Sequence, residues 1–165
     1  MKNYCKKTYL SFICNQRAAT AVEIALIMPV FLLVIFAWIE VGFCLLMLST
    51  LDNAARDASR LIRISSVTET AFKNAVCAKA SPFIPCAGII YNVQSGTSFA
   101  GLTPATTSAT GTLSKTGFSA GSAGSEVLLQ LGYSKPSYIS GLLGAAGFGG
   151  NILLLTTLTF QNESY

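Results

Sequence analysis

One carboxylate stands at the entrance of a long apolar segment near the start of the chain. Glu23 lies four residues after the small pair Ala18-Ala19 and directly before the apolar run that begins at Ile24. An unpaired carboxylate is costly to bury in a membrane, so an acid in this place usually has a role. A peptidase could cut at the small pair. The residue types therefore point to peptide-bond cleavage and to a charged group at the membrane edge.

The apolar run at residues 24–51 predicts a membrane-spanning helix. Such a helix would be roughly 42 Å long, whereas the hydrocarbon core of a bilayer is about 30 Å thick. Four basic residues precede the run and three follow it: Lys2, Lys6, Lys7 and Arg17 before, and Arg56, Arg60 and Arg63 after. The positive-inside rule therefore places the N-terminus in the cytosol and the rest of the chain outside it.

A secretory signal peptide does not fit this segment. Such peptides have an apolar core of about 7–15 residues that is followed by a small-residue cleavage site. Here the run is longer, and the small residues Ala18, Ala19 and Ala21 precede it. A lipoprotein cysteine at Cys14 is not supported either, because the bulky Ile13 stands before it. The remaining option is cleavage on the cytosolic side, before a helix that is retained.

Composition and charge exclude several classes of protein. The hydrophobic fraction of 52% and the charged fraction of 11% are unusual for a soluble domain. The net charge of +4 comes from the leader: four of the 11 Lys and Arg precede position 18, and the remaining seven equal the seven Asp and Glu. A nucleic-acid surface needs basic residues on a folded face, so no nucleic-acid partner is predicted. The chain has no His to serve as a general base, and we predict neither an enzyme nor catalytic residues.

The stretch Ala-Ala-Thr-Ala-Val-Glu-Ile-Ala-Leu-Ile-Met-Pro at residues 18–29 resembles the N-terminus of TadE-like proteins, the minor pilins or pseudopilins of bacterial tight-adherence (Tad/Flp) pilus systems. The family pattern has a small residue, three further residues, Val-Glu-aromatic-Ala-Leu, and a Pro about six residues after the Glu. Glu23 and Pro29 have this spacing, whereas Ile24 replaces the aromatic residue and Ala18 replaces the usual Gly. The Ala/Arg-rich residues 53–60 also resemble the family, so the resemblance covers roughly residues 17–63.

The resemblance implies cleavage by a prepilin peptidase between Ala18 and Ala19, which makes Glu23 the fifth residue of the mature chain. In pilins, the new N-terminal amine of one subunit pairs with the acid of a neighbour and sets the axial register. The implied partners are the peptidase, other pilin or pseudopilin subunits, the Tad inner-membrane platform and the lipid bilayer. The implied location is the bacterial inner membrane, with the C-terminal domain in the periplasm or outside. The alternative for Glu23 is an interfacial acid solvated by lipid headgroups.

A second acid, Glu40, lies within the apolar run beside Trp38. A charge at the centre of a membrane helix costs about 2.5–3.5 kcal/mol, so we expect Glu40 near the outer interface, where Trp is common. Pairing with an Arg of another subunit and protonation are the other options. Arg56, Arg60 and Arg63 recur along the continuing helix. We expect a solvated face there, with a stripe that binds lipid phosphate or a partner as the alternative.

The rest of the chain predicts a small α+β domain. Residues 69–80 predict a second helix, which Pro82 and Pro85 end. Strands are expected at residues 88–93, 126–133 and 152–160, although a short helix is not excluded for the second of these. The Ser/Thr/Gly/Ala-rich residues 94–125 are interpreted as a loop or poorly ordered insertion.

Together these elements predict an α+β, pilin-like fold. Its transmembrane helix extends into a long stem helix, and a small antiparallel sheet lies in the extracytoplasmic domain. The predicted divisions are a cytosolic basic leader at 1–18, the TadE-like transmembrane and stem helix at 19–65, and the extracytoplasmic α+β domain at 66–165.

Cys77 and Cys86 flank the two prolines, in a compartment where disulfides persist. We expect them to pair, with a reduced or unpaired cysteine as the alternative. Cys5 and Cys14 lie in the leader, and Cys44 is expected to pack in the membrane. No cysteine spacing matches a zinc site, so no metal or cofactor is predicted.

These features predict a structural subunit for pilus assembly that is anchored in the membrane. Two alternatives remain open: an anchored surface or adhesive protein that is not processed as a pilin, and a single-pass protein of unrelated role.

Overall fold

The computed structural model describes residues 16–64, 67–108, 111–139 and 150–164, and side chains from residue 20 onward. The predicted leader therefore lies mostly outside the described residues, as do Cys5 and Cys14. The chain forms two compact units, Met1–Glu40 and Val41–Tyr165.

A single long helix, α1, covers Gln16–Ile64 and contains Pro29 in its interior. In the first unit its side chains at residues 20–39 are exposed, apart from the half-buried Leu33 and Ala37. A helix that is apolar on all sides and exposed is typical of a membrane span. Among the described residues, Thr20–Ile64 is the one helix long and apolar enough to cross a bilayer.

In the second unit, residues 41–64 of α1, here called the stem, have one buried face. Five residues at positions i, i+3, i+4, i+7 and i+11 are completely buried there: Leu51, Ala54, Ala55, Ala58 and Ile62. Because three of them are alanines, neighbouring elements can approach the helix closely. Arg56 and Arg60 are exposed on the remaining surface.

The second helix, α2, covers Glu69–Ala80, as the sequence predicts. The side chain of Thr68 caps it by accepting a hydrogen bond from the amide of Ala71. Phe72, Val76 and Ala80 recur every four residues and are buried in the same core as the stem. The helix ends at Ser81, directly before Pro82, because the residue before a proline is driven out of the helical region.

A four-stranded sheet completes the second unit. The part of this unit that follows the stem, residues 67–164, is here called the head. Its strands are β1 Ile89–Gly96, β2 Gly117–Phe118, β3 Glu126–Pro136 and β4 Asn151–Gln161, in the spatial order β2-β1-β3-β4. The β1–β3 and β3–β4 pairs are antiparallel, whereas β2 pairs in parallel with β1. The predicted α+β class is therefore confirmed, but the sheet is mixed rather than antiparallel. The reason is that β2 arises within residues 94–125, where no strand was expected.

One face of the sheet packs against the helices through Val127, Leu129 and Leu131 of β3. Side chains alternate along a strand, so Gln130 points to the opposite face. Its Oε1 accepts hydrogen bonds from the amide of Ala105 at 2.7 Å and from Nδ2 of Asn92 at 3.1 Å. Ala105, in the irregular segment that follows β1, therefore packs against the second face of the sheet.

Candidate functional site

The predicted cleavage residues and the acid lie at the N-terminal end of α1. Ala18 and Ala19 fall within the first turn of the helix, since it begins at Gln16. Glu23 lies one turn after Ala19 and its side chain is exposed. The helix therefore presents this carboxylate outward, where a group from another molecule can reach it.

An exposed apolar groove lies beside Glu23. Ile24, Ile27, Met28 and Phe31 line it and enclose about 200 Å³. Their spacing of three and four residues places them along one side of the helix. Such a surface can pack against another helix or against lipid chains.

Pro29 interrupts the hydrogen bonding of α1 one turn beyond Ala25. Proline has no amide hydrogen, so it cannot donate to the carbonyl four residues earlier, which belongs to Ala25. The helix nevertheless continues past it to Ile64. A freed carbonyl so close to Glu23 gives this region of the helix two acceptors that a neighbouring donor could use.

Glu40 is the last residue of the first unit. Its side chain is buried, whereas the described side chains before it in the helix are exposed or half-buried. It is only 7% exposed, whereas Trp38 is 76% exposed. The burial leaves little of the Glu40 carboxylate for an Arg of another subunit. The exposed indole of Trp38 is free to lie in lipid or at its interface.

A family comparison defines what this helix resembles. A model of TadE-like proteins matches residues 18–60. This segment is similar to TadE-like proteins. It includes Ala18, Ala19, Glu23 and Pro29, all of which the sequence analysis selected. No curated protein and no solved structure matches the chain.

The TadE-like match suggests a pilin-like subunit associated with a Tad pilus, with a membrane-anchoring N-terminal helix. Proteins of the TadE-like family are structural components of the pilus. The one apolar N-terminal helix likewise suggests single-pass anchoring. Among the described residues, no group of three or more His, Cys, Asp or Glu could hold a metal ion.

The C-terminal part of the TadE-like segment is fastened to the head by charged groups. Oδ2 of Asp52 lies 2.9 Å from Nε of Arg56, and Oδ1 accepts a hydrogen bond from Thr156 on β4. Asp57 pairs with Lys79 of α2 at 2.8 Å. This face of the stem is therefore only partly solvated, since it also ties the stem to both α2 and β4.

Arg63 departs from the solvated helix face that the sequence predicts. It is half-buried, and its guanidinium stacks over the ring of Phe160 at 5.5 Å. Its carbonyl also accepts a hydrogen bond from the amide of Glu163. The prediction fails here because the end of β4 reaches the last turn of the stem, a contact that spacing within the helix does not reveal.

Contacts along the stem show that α1 and β4 run in the same direction. Cys44 lies 3.8 Å from Nζ of Lys135, the residue that pairs with Ile152 at the start of β4. Asp52 contacts Thr156 in the middle of the strand, and Arg63 contacts Phe160 near its end. The end of the sheet that carries Lys135 therefore lies beside the start of the stem. Cys44 packs in this protein contact, not in lipid as the sequence suggested.

Cys77 and Cys86 are bonded to each other in the structure, with their Cα atoms 5.3 Å apart. Cys77 lies in the last turn of α2, and Cys86 begins a short 3-10 turn, Cys86–Gly88, before β1. The bond therefore fixes the end of α2 to the start of the sheet.

The other end of α2 contacts β1 through polar groups. The hydroxyl of Tyr91 donates to Glu69 at 2.5 Å, and Lys73 lies 2.9 Å from the same carboxylate. The hydrogen bond from Tyr91 has the larger effect and that from Lys73 the smaller, and together they hold the pKa of Glu69 below its ordinary value. Phe72 packs beneath them against Tyr91, with ring centroids 5.6 Å apart.

Proposed function

We propose that this chain is a minor pilin or pseudopilin-like structural subunit for assembly of a Tad/Flp pilus. In this proposal it is anchored in the bacterial inner membrane, and a prepilin peptidase cleaves it between Ala18 and Ala19. The observation that carries the proposal is the TadE-like match at residues 18–60, within which Glu23 is exposed at the entrance of an apolar helix.

Cleavage would create a positively charged amine with which the carboxylate of Glu23 can pair. The amine of Ala19 would become the N-terminus, and Glu23 would lie one helical turn, about 6 Å, further along α1. In apolar surroundings either charge alone is costly, so an amine of one subunit and a carboxylate of the next stabilise each other only when they meet. The pair would fix the axial offset between neighbouring subunits.

The exposed groove beside Glu23 supports the same role. Ile24, Ile27, Met28 and Phe31 offer an apolar surface to a neighbouring helix. Packing can therefore hold two helices together, while the charge pair selects their register. The other proposed partners are the peptidase and the Tad inner-membrane platform.

The proposed orientation of the chain across the membrane is based on the positions of its basic residues. The basic leader would stay in the cytoplasm, and the head would lie in the periplasm or outside the cell. The Cys77–Cys86 bond agrees with this side of the membrane, because disulfides persist there.

N-terminal mass spectrometry of the protein, purified with and without its cognate peptidase, tests the proposal. We expect a mature chain that begins at Ala19 only when the peptidase is present. Ala18→Leu should block the cut because a bulky side chain replaces a small one, whereas Ala18→Gly should preserve it. A chain that still begins at Met1 in the presence of active peptidase would favour an anchored surface or adhesive protein that is not processed.

A further inference from the structure

A broad polar groove lies on the exposed side of the stem, where the end of α2 approaches it. The groove encloses about 710 Å³, and we call it the basic groove. Its walls include Thr50, Asn53, Arg56, Asp57 and Arg60 of α1 and Lys79 of α2. All of these residues belong to the second unit, so the basic groove lies within one compact part of the chain.

The charges around the basic groove leave one positive charge without a counterpart. Nζ of Lys79 lies 2.8 Å from Oδ2 of Asp57. Nε of Arg56 lies 2.9 Å from Oδ2 of Asp52, one turn earlier on α1. The third cation, Arg60, is exposed, and no residue that the structure describes forms a hydrogen bond or an ion pair with it. An anion with a single negative charge would therefore balance the groove.

The donors of the basic groove suit the oxygen atoms of a phosphate group. The guanidinium of Arg60 has five N–H groups in a planar fork that matches two phosphate oxygens at once. Arg56 uses Nε for its contact with Asp52, so its terminal N–H groups can turn to an anion. Asn53 lies two turns before Arg60 and is exposed, so its side-chain amide can donate as well. A phosphodiester carries the single negative charge that the groove lacks.

The face of the stem that carries the basic groove begins with apolar side chains. Phe43 and Leu46 are 52% and 42% exposed. Thr50, Asn53 and Asp57 follow Leu46 at spacings of four, three and four residues, which places them on the same side of the helix. Lipid chains can surround the exposed apolar part of this face. The basic groove therefore begins where that apolar surface ends.

The depth of the headgroup layer agrees with this arrangement. The layer is about 5–7 Å thick on each side of the hydrocarbon core. Thr50 lies one helical turn, about 6 Å, beyond Leu46. Long side chains on a helix point toward its N-terminus, and Arg56 does so, since its Nε contacts Asp52. Its guanidinium therefore lies only about 9 Å beyond the level of Leu46, where a lipid phosphate can reach it.

We propose that the basic groove binds the phosphodiester anion of a lipid headgroup, with Arg60 as its principal ligand. An anionic lipid fits better than a zwitterionic one, because the latter brings its own cation next to three others. A carboxylate of a neighbouring protein would match the charge equally well, but the exposed apolar side chains that precede the groove favour lipid. The inference rests on membrane anchoring of α1 and does not depend on a role in a pilus.

Native mass spectrometry of the full chain in a neutral detergent tests the site. The chain is titrated with phosphatidylglycerol or with phosphatidylcholine, and the bound lipids are counted. We expect phosphatidylglycerol to bind about tenfold more tightly or better. Inorganic phosphate at the same concentration should not displace it, because inorganic phosphate has no acyl chains to lie on the apolar face. Equal affinity for the two lipids would overturn the proposal, and displacement by inorganic phosphate would overturn the lipid as the source of the anion.

Two variants should change the affinity for phosphatidylglycerol in opposite directions. Arg60→Gln should weaken it by about tenfold, because the unpaired guanidinium is lost. Asp57→Asn should strengthen it by about threefold, because it removes an acid and releases the ammonium of Lys79. Lys115→Gln is the matched control, since Lys115 is an exposed lysine of the head outside the basic groove. Its loss should change the affinity by less than about twofold. Equal effects of Arg60→Gln and Lys115→Gln would overturn the site, and so would weaker binding in Asp57→Asn.

Flotation of the full chain with phosphatidylcholine vesicles tests the anchoring separately. A chain that floats but shows no preference for phosphatidylglycerol would overturn the lipid site alone. A chain that does not float would overturn the anchoring and the inference that rests on it. If Arg60→Gln leaves lipid binding unchanged but reduces co-purification with pilus subunits, the basic groove binds protein, and the proposal is overturned.

Discussion

Thr156 and Asp52 join the sheet to the long helix α1: Oγ1 of Thr156 donates to Oδ1 of Asp52 over 3.0 Å. The other carboxylate oxygen pairs with Arg56, so Asp52 is held in place from its own helix. The stem is therefore bonded directly to the head, and a shift of the stem along its axis would move β4 with it.

Asp52→Ala should destabilise the head by about 1 kcal/mol, because it removes a hydrogen bond between elements as well as an ion pair that is partly exposed to solvent. Denaturant unfolding of the detergent-solubilised full chain measures this change. Asn53→Ala, at the exposed neighbouring position, should change the free energy of unfolding by less than about 0.5 kcal/mol. Equal effects of the two variants would contradict the role given to Asp52.

Phe72→Ala should be the most destabilising single truncation in α2. Its ring is completely buried and packs against Tyr91 and Phe118, with centroids 5.6 and 5.2 Å away. Removing it leaves a cavity between the helix and the sheet, which costs about 3–5 kcal/mol. Phe83→Ala is the control, since Phe83 is 47% exposed. A comparable loss of stability in both variants would show that burial at position 72 does not decide the effect.

Cys77→Ser with Cys86→Ser should lower the free energy of unfolding by about 2–3 kcal/mol, because the bond closes a short loop in the unfolded chain. The two cysteines are nine residues apart in sequence. Reduction of the wild-type protein should give the same loss of stability, whereas the double variant should not respond to the reductant. If the wild-type protein is also insensitive, the two cysteines are not bonded in solution.

The sequence reveals some of these elements and misses others for physical reasons. The second helix is predicted with its correct bounds because Pro82 ends it and apolar residues recur within it. The packing of Cys44 and Leu51 in the second unit is not predicted, since both are apolar whether lipid or the head surrounds them. The packing of Ala105 against the sheet depends on hydrogen bonds to Gln130, which is far away in sequence, so no periodic pattern predicts it.

The contact between Glu69 and Tyr91 should make stability depend on pH. The folded state holds the pKa of Glu69 below its ordinary value, first through the Tyr91 hydroxyl and then through Lys73. The stabilisation is therefore present above the unfolded pKa of about 4.3 and is lost as the pH falls through the lower, folded value.

Glu69→Gln should thus have a lower Tm than the wild type at neutral pH, and the difference should shrink as the pH falls below about 4. Thermal unfolding followed by circular dichroism from neutral to acidic pH measures this. Tyr91→Phe removes the hydroxyl and should shrink the pH dependence in the same way. A difference in Tm that stays constant with pH would argue against the lowered pKa.

Glu23→Leu should leave the chain inserted in the membrane and abolish its entry into pilus complexes. If the carboxylate pairs with the amine of a neighbouring subunit, its loss leaves a buried ammonium without a partner. That costs about 3–5 kcal/mol, or a decrease in assembly of roughly a hundredfold or more. Membrane fractionation and co-purification with pilus subunits measure insertion and assembly separately.

A shifted charge distinguishes a specific pair from a general need for an acid at the membrane edge. Val22→Glu combined with Glu23→Ala keeps one carboxylate in the same turn but rotates it by about 100° around α1. The double variant should insert normally and still fail to assemble, since the carboxylate no longer faces the amine of the neighbour. Glu23→Asp keeps both charge and direction with a shorter reach and should retain part of the assembly. Normal piliation in the shifted variant would show that headgroups solvate Glu23, and that it sets no register between subunits.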